Sequence, residues 1–180
     1  MKSTNTSPYN IKVKIREVSA EDIKSLARVH VDCWWETYRN IISESYLYTL
    51  KYTDRQDMWE QLLPRRAEDG GTLVVYSEEE DDIVGFCDFG KAREHEHGFS
   101  GEVYALYLLR RYQGKGIGRA IIEQVKLEFK KRRIDSFYLW VLKDNPTRNF
   151  YKNVEGIYLK SQPIVMDEKE YIEDLYYWEI

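Results

Sequence analysis

The feature that most constrains this chain is a glycine-rich turn that joins an apolar strand to an amphipathic helix. The residues run Leu106-Tyr107-Leu108-Leu109-Arg110-Arg111-Tyr112-Gln113-Gly114-Lys115-Gly116-Ile117-Gly118-Arg119. Glycine permits positive φ and the close approach of another group to the backbone, which a Cβ would block. Bare backbone N–H groups at the start of a helix bind phosphate. The turn therefore predicts a ligand that carries a pyrophosphate.

The elements on either side of the turn predict a mixed sheet of about seven strands with helices on both faces. The predicted order is a strand, three helices, a hairpin, a central strand, a helix, a strand, a short helix and two closing strands. An antiparallel first half followed by a βαβ unit favours an α/β or α+β fold over a doubly wound one. The short helix is predicted to begin with Asn145 as N-cap and Pro146 at the first helical position. The strands are predicted at residues 12–18, 72–76, 83–89, 102–109, 136–142, 157–164 and 171–178.

Length and composition predict a single cytoplasmic domain over residues 11–180, preceded by a disordered arm at 1–10. The chain has 180 residues, of which 43% are hydrophobic, and this is enough for a full core. Its net charge of −4 gives no general attraction for nucleic acid or for an anionic membrane. Cys33 and Cys87 are too few for a disulfide framework and fit a reducing compartment. The acidic run Glu78–Asp82 is predicted to be a solvated hairpin tip.

The spacing of the glycines separates three kinds of phosphate-binding turn. A Walker loop requires G-x-x-x-x-G-K-[ST], which the chain lacks. A dinucleotide fingerprint requires G-x-G-x-x-G, whereas the glycines here are spaced Gly114-x-Gly116-x-Gly118. Gln113, Gly116 and Gly118 instead fit Gln-x-x-Gly-x-Gly, the coenzyme A pyrophosphate turn of the GNAT acyltransferases. The alternative is a tight strand-to-helix turn with no ligand.

The resemblance to the GNAT N-acetyltransferases extends over nearly the whole chain. It implies the GNAT acyl-CoA N-acyltransferase fold, with a twisted, mostly antiparallel sheet, and acetyl-CoA as cosubstrate. The chain departs from the usual pattern at two places. It has no proline near Arg110, and it has Val154-Glu155-Gly156 where Leu-Gly-Gly or Leu-Gly-Phe is common. The segments that carry the resemblance are Trp34-x-x-Thr37-Tyr38, Arg55-x-x-x-Trp59, Glu102 to Tyr107, Tyr112 to Gly118, Leu139 to Leu142, and Asn145-Pro146 to Phe150-Tyr151.

By the same resemblance, the residues around the turn would hold coenzyme A. The backbone from Gln113 to Arg119 would bind the pyrophosphate, assisted by the helix dipole. The strand before the turn and Asn145 would contact the pantetheine arm. The cofactor-binding residues implied in this way are Leu106, Tyr107, Leu108, Gln113, Gly114, Lys115, Gly116, Ile117, Gly118, Arg119 and Asn145.

Two residues are predicted to move protons during acetyl transfer. Tyr151 is the candidate general acid, because a phenol with a pKa of about 10 is protonated at neutral pH and can donate to a leaving thiolate. Glu102, at the start of the central strand, is the candidate general base, with Asp88 and water as alternatives. The competing interpretations are an aromatic core residue for Tyr151 and a solvated strand-end carboxylate for Glu102.

The sequence identifies the acyl donor more clearly than the acceptor. Trp34 and Tyr38 are the candidate acceptor-site residues on the first helix. We predict direct transfer to a small amine or a polyamine, with protein N-terminal or lysine acetylation, or a non-catalytic acyl-CoA-binding module, as alternatives. His95-Glu96-His97 is not expected to bind a metal, because two histidines at i and i+2 lack further ligands. A homodimer through strand 171–178 is a further expectation.

Overall fold

The computed structural model describes residues 12–94 and 98–180. Its seven strands form one mixed sheet, and their order along the chain is the predicted order. The predicted arm at residues 1–10 and the His95-Glu96-His97 segment lie outside the described residues. The strands are β1 (Val13–Glu17), β2 (Gly70–Ser77), β3 (Asp82–Lys91), β4 (Gly101–Leu108), β5 (Ser136–Leu142), β6 (Ile157–Met166) and β7 (Lys169–Glu179).

The strands lie in the order β1-β2-β3-β4-β5-β7-β6. Every neighbouring pair is antiparallel except β4 and β5, which run parallel through the βαβ unit. β4 is the central strand, as its apolar character on both faces predicts. The confirmed fold class is therefore α+β with a mostly antiparallel sheet.

Five helices pack on this sheet, and their boundaries follow local sequence signals. A capping box of Ser19 and Asp22 precedes α1, and Asp22 also accepts a 2.6 Å ion pair from Arg16. Ser43 caps the next helix by accepting from the Tyr46 N–H at 3.3 Å. The helices are α1 (Ile23–Tyr38), α2 (Glu44–Thr49), α3 (Tyr52–Asp69), α4 (Ile117–Lys131) and α5 (Arg148–Asn153).

The helices lie on opposite faces of the sheet. On one face, α1 and α3 present His30 and Trp59 to Phe86 of β3, with ring centroids 5.2 and 5.4 Å away. On the other face, Phe129 of α4 packs against Phe89 of β3 at 5.3 Å. Phe86 and Phe89 are three residues apart on one strand, so they point to opposite faces. The sheet is therefore buried on both sides at its centre.

β7 is an interior strand, and this corrects the expectation that strand 171–178 pairs with a second copy. One edge of β7 pairs with β5 and the other pairs with β6, so no backbone edge is left for a partner. The edge strands of the sheet are β1 and β6. β6 exposes the large apolar side chains of Ile157, Tyr158 and Leu159.

Candidate active site

A cleft opens where β4 and β5 diverge. The two parallel strands are in register only at Gly101 with Phe137 and at Glu102 with Tyr138. Beyond that point they separate around a cleft of about 720 Å³. The candidate cofactor residues that line it are Leu106, Tyr107, Leu108, Gln113 and Asn145.

A bulge in β4 lies along the wall of this cleft. Asp88 of β3 pairs with Ala105, but the next residue, Phe89, pairs with Val103, so Tyr104 is the extra residue. The other edge of β4 is paired with β3 along the length of the strand. Buried backbone groups require partners, and on the cleft edge past Glu102 a ligand can supply them. This geometry suits the amide-bearing pantetheine arm implied at Leu106, Tyr107 and Leu108.

The glycine turn has the backbone geometry of an anion site. Gly114 and Gly116 have φ of 70° and 81°, values that disfavour any residue with a Cβ. Gly116 is the N-cap of α4, and the first bond of the helix is from Ala120 N–H to Gly116 O at 3.1 Å. The first four N–H groups of a helix have no intrahelical acceptor. They therefore point outward at the positive end of the α4 dipole, where a phosphate binds.

Gly118 is required by packing, whereas the other two glycines are required by backbone conformation. A Cβ at this position would lie 2.9 Å from the ring of Phe150. Its φ is not in the left-handed region. The third glycine therefore sets how closely α4 approaches α5, the helix that carries Tyr151.

The turn is fastened to the rest of the molecule from two directions. The Gln113 side chain donates to the Leu108 carbonyl at 2.8 Å, which ties the turn to the end of β4. Tyr112 donates to Glu80 at 2.7 Å, and Arg111 pairs with the same carboxylate. Arg111, and then Tyr112, lower the pKa of Glu80 to about 2. The acidic hairpin tip is therefore a support for the turn and not only a solvated loop.

The two basic side chains of the turn contact nearby protein groups. The Lys115 ammonium lies 5.6 Å from the centroid of the Tyr112 ring. Arg119 donates to the backbone carbonyl of Asn153 at the end of α5. Both remain beside the candidate pyrophosphate site and add positive charge to it.

Asn145 caps a turn before α5 and does not cap the helix itself. Its Oδ1 accepts from the Thr147 N–H at 2.9 Å and from the Thr147 hydroxyl at 2.8 Å. The helix begins at Arg148 with Thr147 as N-cap, so the predicted N-cap at Asn145 and helical Pro146 are wrong. The short side chain of Asn145 satisfies the two groups of Thr147 locally, and this sets the helix start two residues later. Asn145 lies in the wall of the cleft.

Tyr151 is buried at the wall of the cleft. Its ring packs edge-on against Phe150 at 5.3 Å and lies 6.0 Å from that of Tyr176. Burial raises the pKa of its phenol well above the ordinary value. Within the described part of the chain, no group hydrogen-bonds to its hydroxyl. The phenol is therefore protonated at neutral pH and can donate into the cleft.

The two carboxylates predicted as general bases are both engaged in ion pairs. Glu102 is 1% exposed and accepts from the Arg93 N–H at 3.0 Å, from the Arg93 guanidinium and from Tyr138 at 3.1 Å. Asp88 accepts two bonds of 2.8 Å from Arg66. Neither residue lines the cleft. The geometry does not support either of them as the proton acceptor.

Comparison with known proteins identifies the family. Residues 34–155 match the Acetyltransferase (GNAT) family. The chain belongs to the GNAT family. Membership confirms the predicted enzyme class, an acetyl-CoA-dependent N-acyltransferase, and agrees with the observed fold.

Individual GNAT relatives agree with this assignment. The chain is 37% identical over 140 residues to the uncharacterized N-acetyltransferase YuaI of Bacillus subtilis, covering 78% of each protein. It is 26% identical over 146 residues to spermidine N(1)-acetyltransferase of Thermoplasma acidophilum, covering 78% of this chain and 86% of that protein. Among solved structures, PaiA N-acetyltransferase from Thermoplasma acidophilum, in complex with coenzyme A, superposes with a TM-score of 0.67 at 23% identity, covering 91% of this chain and 98% of that one.

The half of the GNAT cleft that faces α1 has aromatic and apolar walls. Trp34 and Tyr38 both line it, and the Tyr38 hydroxyl lies 3.3 Å from that of Tyr107. His30, one turn earlier on α1, is buried behind this wall between the rings of Trp59 and Phe86. Burial, aided by the charge of Arg55, lowers the pKa of His30 to about 3, so it is a poor base at neutral pH.

Several residues of this half of the cleft were not predicted from the sequence. One available signal was Glu173, a carboxylate that alternates with Tyr171, Leu175 and Tyr177 on an otherwise apolar face of a strand. Tyr104 lies at the bulge of β4, and Trp140, Ile164 and Met166 lie on β5 and β6; which of these side chains reach the cleft depends on tertiary contacts. The lining residues of this half that sequence reasoning missed include Tyr104, Trp140, Ile164, Met166 and Glu173.

The described residues contain no group of three or more His, Cys, Asp or Glu side chains placed to share a metal ion. Among the same residues, no helix is both long and apolar enough to cross a membrane.

Proposed function

We propose that this protein transfers an acetyl group from acetyl-CoA directly to the primary amine of a small amine or polyamine. The observation that carries the proposal is the continuous cleft, which leads from the glycine turn to a pocket with aromatic walls and carboxylates. Aromatic rings and carboxylates favour an alkylammonium group. The similarity to a spermidine N(1)-acetyltransferase supports the same class of acceptor.

The donor half of the cleft would bind acetyl-CoA, which supplies a thioester carbonyl for attack when it is bound. The N–H groups at the start of α4 would hold the pyrophosphate, and Lys115 and Arg119 would add charge beside it. The unpaired edge of β4 at Leu106, Tyr107 and Leu108 would bind the pantetheine amides, with Asn145 on the opposite wall. A β4 backbone N–H directed at the carbonyl oxygen would polarise it.

Tyr151 would protonate the leaving sulfur. Tyr151 lines the cleft, and burial keeps its phenol protonated, as its raised pKa indicates. A positioned acid of this kind contributes about 10²- to 10⁴-fold to a rate.

Neither cysteine is suited to carry the acetyl group. Cys33 and Cys87 are buried free thiols, and burial raises the pKa of each. A thiol in that state holds little nucleophilic thiolate, which supports direct transfer without an acyl-enzyme. Free thiols are also compatible with the cytoplasm as the proposed location.

A panel of acceptors tests the proposal. Acetyl-CoA is supplied with alkyl monoamines, diamines, polyamines and peptides that have a free N-terminus, and release of the coenzyme A thiol is measured. We expect turnover with alkylamines and polyamines and little with peptides. Preference for peptides would indicate a protein acetyltransferase. Binding of coenzyme A with no turnover on any amine would indicate a non-catalytic module.

A further inference from the structure

Glu173 lines the half of the cleft that faces α1, which we call the acceptor half, and among the described residues no arginine forms an ion pair with it. It is on β7, opposite Leu142 of β5 and Gln162 of β6. Its side chain lines the cleft although the residue is only 9% exposed. A buried carboxylate in an aromatic-walled cleft is an unusual placement for a residue with a purely structural role.

The surroundings of Glu173 differ from those of Asp88 and Glu102. Those two carboxylates have their charge neutralised by Arg66 and Arg93, respectively. Within residues 12–94 and 98–180, the hydrogen bond to Glu173 comes from the neutral Gln162 amide, at 2.9 Å from its Oε1. Glu173 can therefore accept a proton without breaking an ion pair.

The charged groups that act on Glu173 come from two neighbouring segments. Glu94, in the loop after β3, and Glu102, on β4, disfavour its ionised form, and Arg93 favours it. Burial is the largest influence, and the pKa of Glu173 is raised above its usual value. The cleft is also lined by the tyrosines Tyr38 of α1, Tyr104 and Tyr107 of β4 and Tyr151 of α5, and burial raises the pKa of each.

We propose that Glu173 accepts the proton of the acceptor ammonium and so acts as the general base of acetyl transfer. The inference rests on the proposed amine acetylation. It follows from the position of Glu173 in the acceptor half and from the engagement of the other two carboxylates. An alkylammonium with a pKa of about 10 is only about 0.1% neutral at pH 7, so the reaction needs a group that removes this proton.

Glu173 and Tyr151 would carry out the proton transfers of the reaction. Glu173 takes one proton from the ammonium and leaves a neutral amine. The nitrogen lone pair forms the C–N bond with the carbonyl carbon, and the C–S bond breaks with its electron pair going to sulfur. Tyr151 gives its phenolic proton to sulfur and recovers one from the nitrogen. Glu173 then releases its proton to solvent, so each turnover releases one proton.

Glu173→Gln tests the proposal because it keeps the shape of the side chain and an acceptor for Gln162. At pH 7 we expect kcat for an alkylamine to fall about 10²-fold or more. The kcat of the variant should then rise about tenfold per pH unit from pH 7 to 9, because a growing fraction of the amine is already neutral. The wild-type rate should be nearly level over this range. With an acceptor whose amine pKa lies well below the assay pH, the two proteins should differ little.

Glu179→Gln is the matched control, since Glu179 lies on the same strand as Glu173 but is exposed and does not line the cleft. We expect this variant to keep the level pH profile. A structural readout comes from ¹³C NMR of protein labelled at the glutamate carboxyl carbons. One carboxyl signal should titrate above the usual glutamate range and disappear in Glu173→Gln.

The proposal is overturned if Glu173→Gln raises KM for the amine without lowering kcat, because this would identify a binding role. It is also overturned if Glu173→Gln keeps the level wild-type pH profile. Either result requires that wild-type protein acetylates an amine. Absence of wild-type turnover on every amine would instead contradict the proposed function.

Discussion

Single side chains in this protein differ in function because their hydrogen bonds and burial differ. The chain contains fifteen tyrosines, but Tyr151 combines burial, a place in the wall of the cleft and a hydroxyl with no bond to the described residues. Tyr176 is also buried, and its ring lies 6.0 Å from that of Tyr151. It does not line the cleft. Substitution of each tyrosine therefore separates a chemical role of the hydroxyl from a packing role of the ring.

Tyr151→Phe should lower kcat while leaving the affinity for coenzyme A nearly unchanged. The substitution removes the proton donor but keeps the ring, so we expect a fall of at least about tenfold. Steady-state kinetics with a saturating amine, together with calorimetric titration of coenzyme A, measure the two effects. Tyr176→Phe is the control and should keep near-normal kcat. An unchanged kcat in Tyr151→Phe would contradict the general-acid role.

At the scale of residues, the sequence predicts the element on which a side chain lies better than the groups to which that side chain bonds. Glu102 was correctly expected on the central strand, but its ion pair with Arg93 depends on a loop nine residues earlier in the chain. Asn145 was correctly expected before a short helix, but its bonds to Thr147 shift the helix start. Side-chain partners of this kind depend on tertiary geometry, which periodicity and spacing do not encode.

Among the structural elements, the glycine turn combines two separate requirements. Gly114 and Gly116 supply positive φ, and Gly118 provides room for the ring of Phe150. The turn therefore sets the anion site and also determines how closely α5, with Tyr151, approaches α4. A three-glycine pattern in the sequence does not reveal this division of roles, because the second depends on which side chain packs above the helix.

Gly116→Asp should weaken coenzyme A binding about 100-fold or more, because it places a carboxylate beside the pyrophosphate site and strains the N-cap backbone. Isothermal calorimetry measures the affinity. Gly98→Asp is the matched control, since Gly98 also has positive φ, at 76°, and open space around it, but lies in the β3–β4 loop. It should carry a similar backbone cost and bind coenzyme A normally. Equal affinities for the two variants would contradict the assignment of the turn.

The order of the elements could be predicted because it follows from local periodicity and capping. The pairing of the closing strands could not, because nothing local distinguishes an interior β7 from an edge strand. Both β6 and β7 have strand-like sequences. Their positions depend on which of them meets β5, and that is a long-range contact.

At the scale of the whole molecule, the sheet has two parts, β1–β4 and β5–β7. They are joined by only two paired positions between β4 and β5. α4 packs against both of these parts. Phe129 of this helix contacts Phe89 in one part at 5.3 Å and Phe137 in the other at 5.0 Å. A Cβ on Gly101 would also meet the Phe129 ring at 3.0 Å, so the site is tightly filled.

Phe129→Leu should therefore affect the connection between the two parts more than an equivalent change within one part. We expect a loss of about 1 kcal/mol or more in the free energy of unfolding and faster amide exchange in β5–β7 than in β1–β4. Phe86→Leu is the control, because Phe86 is as fully buried but contacts His30, Trp59 and Tyr107 within one part. It should lower the free energy of unfolding without making amide exchange in β5–β7 faster than in β1–β4. Identical exchange patterns in the two variants would contradict this role of Phe129.

The divergence of β4 and β5 also has a thermodynamic consequence for the enzyme in use. A gap in the middle of a sheet leaves backbone groups that a bound molecule can satisfy, so occupancy of the cleft and stability of the fold are linked. During turnover, each exchange of product for fresh cosubstrate would briefly remove that contribution. The resting protein would then be most open to local unfolding in the interval between reactions, and saturating cosubstrate would protect it from proteolysis and heat.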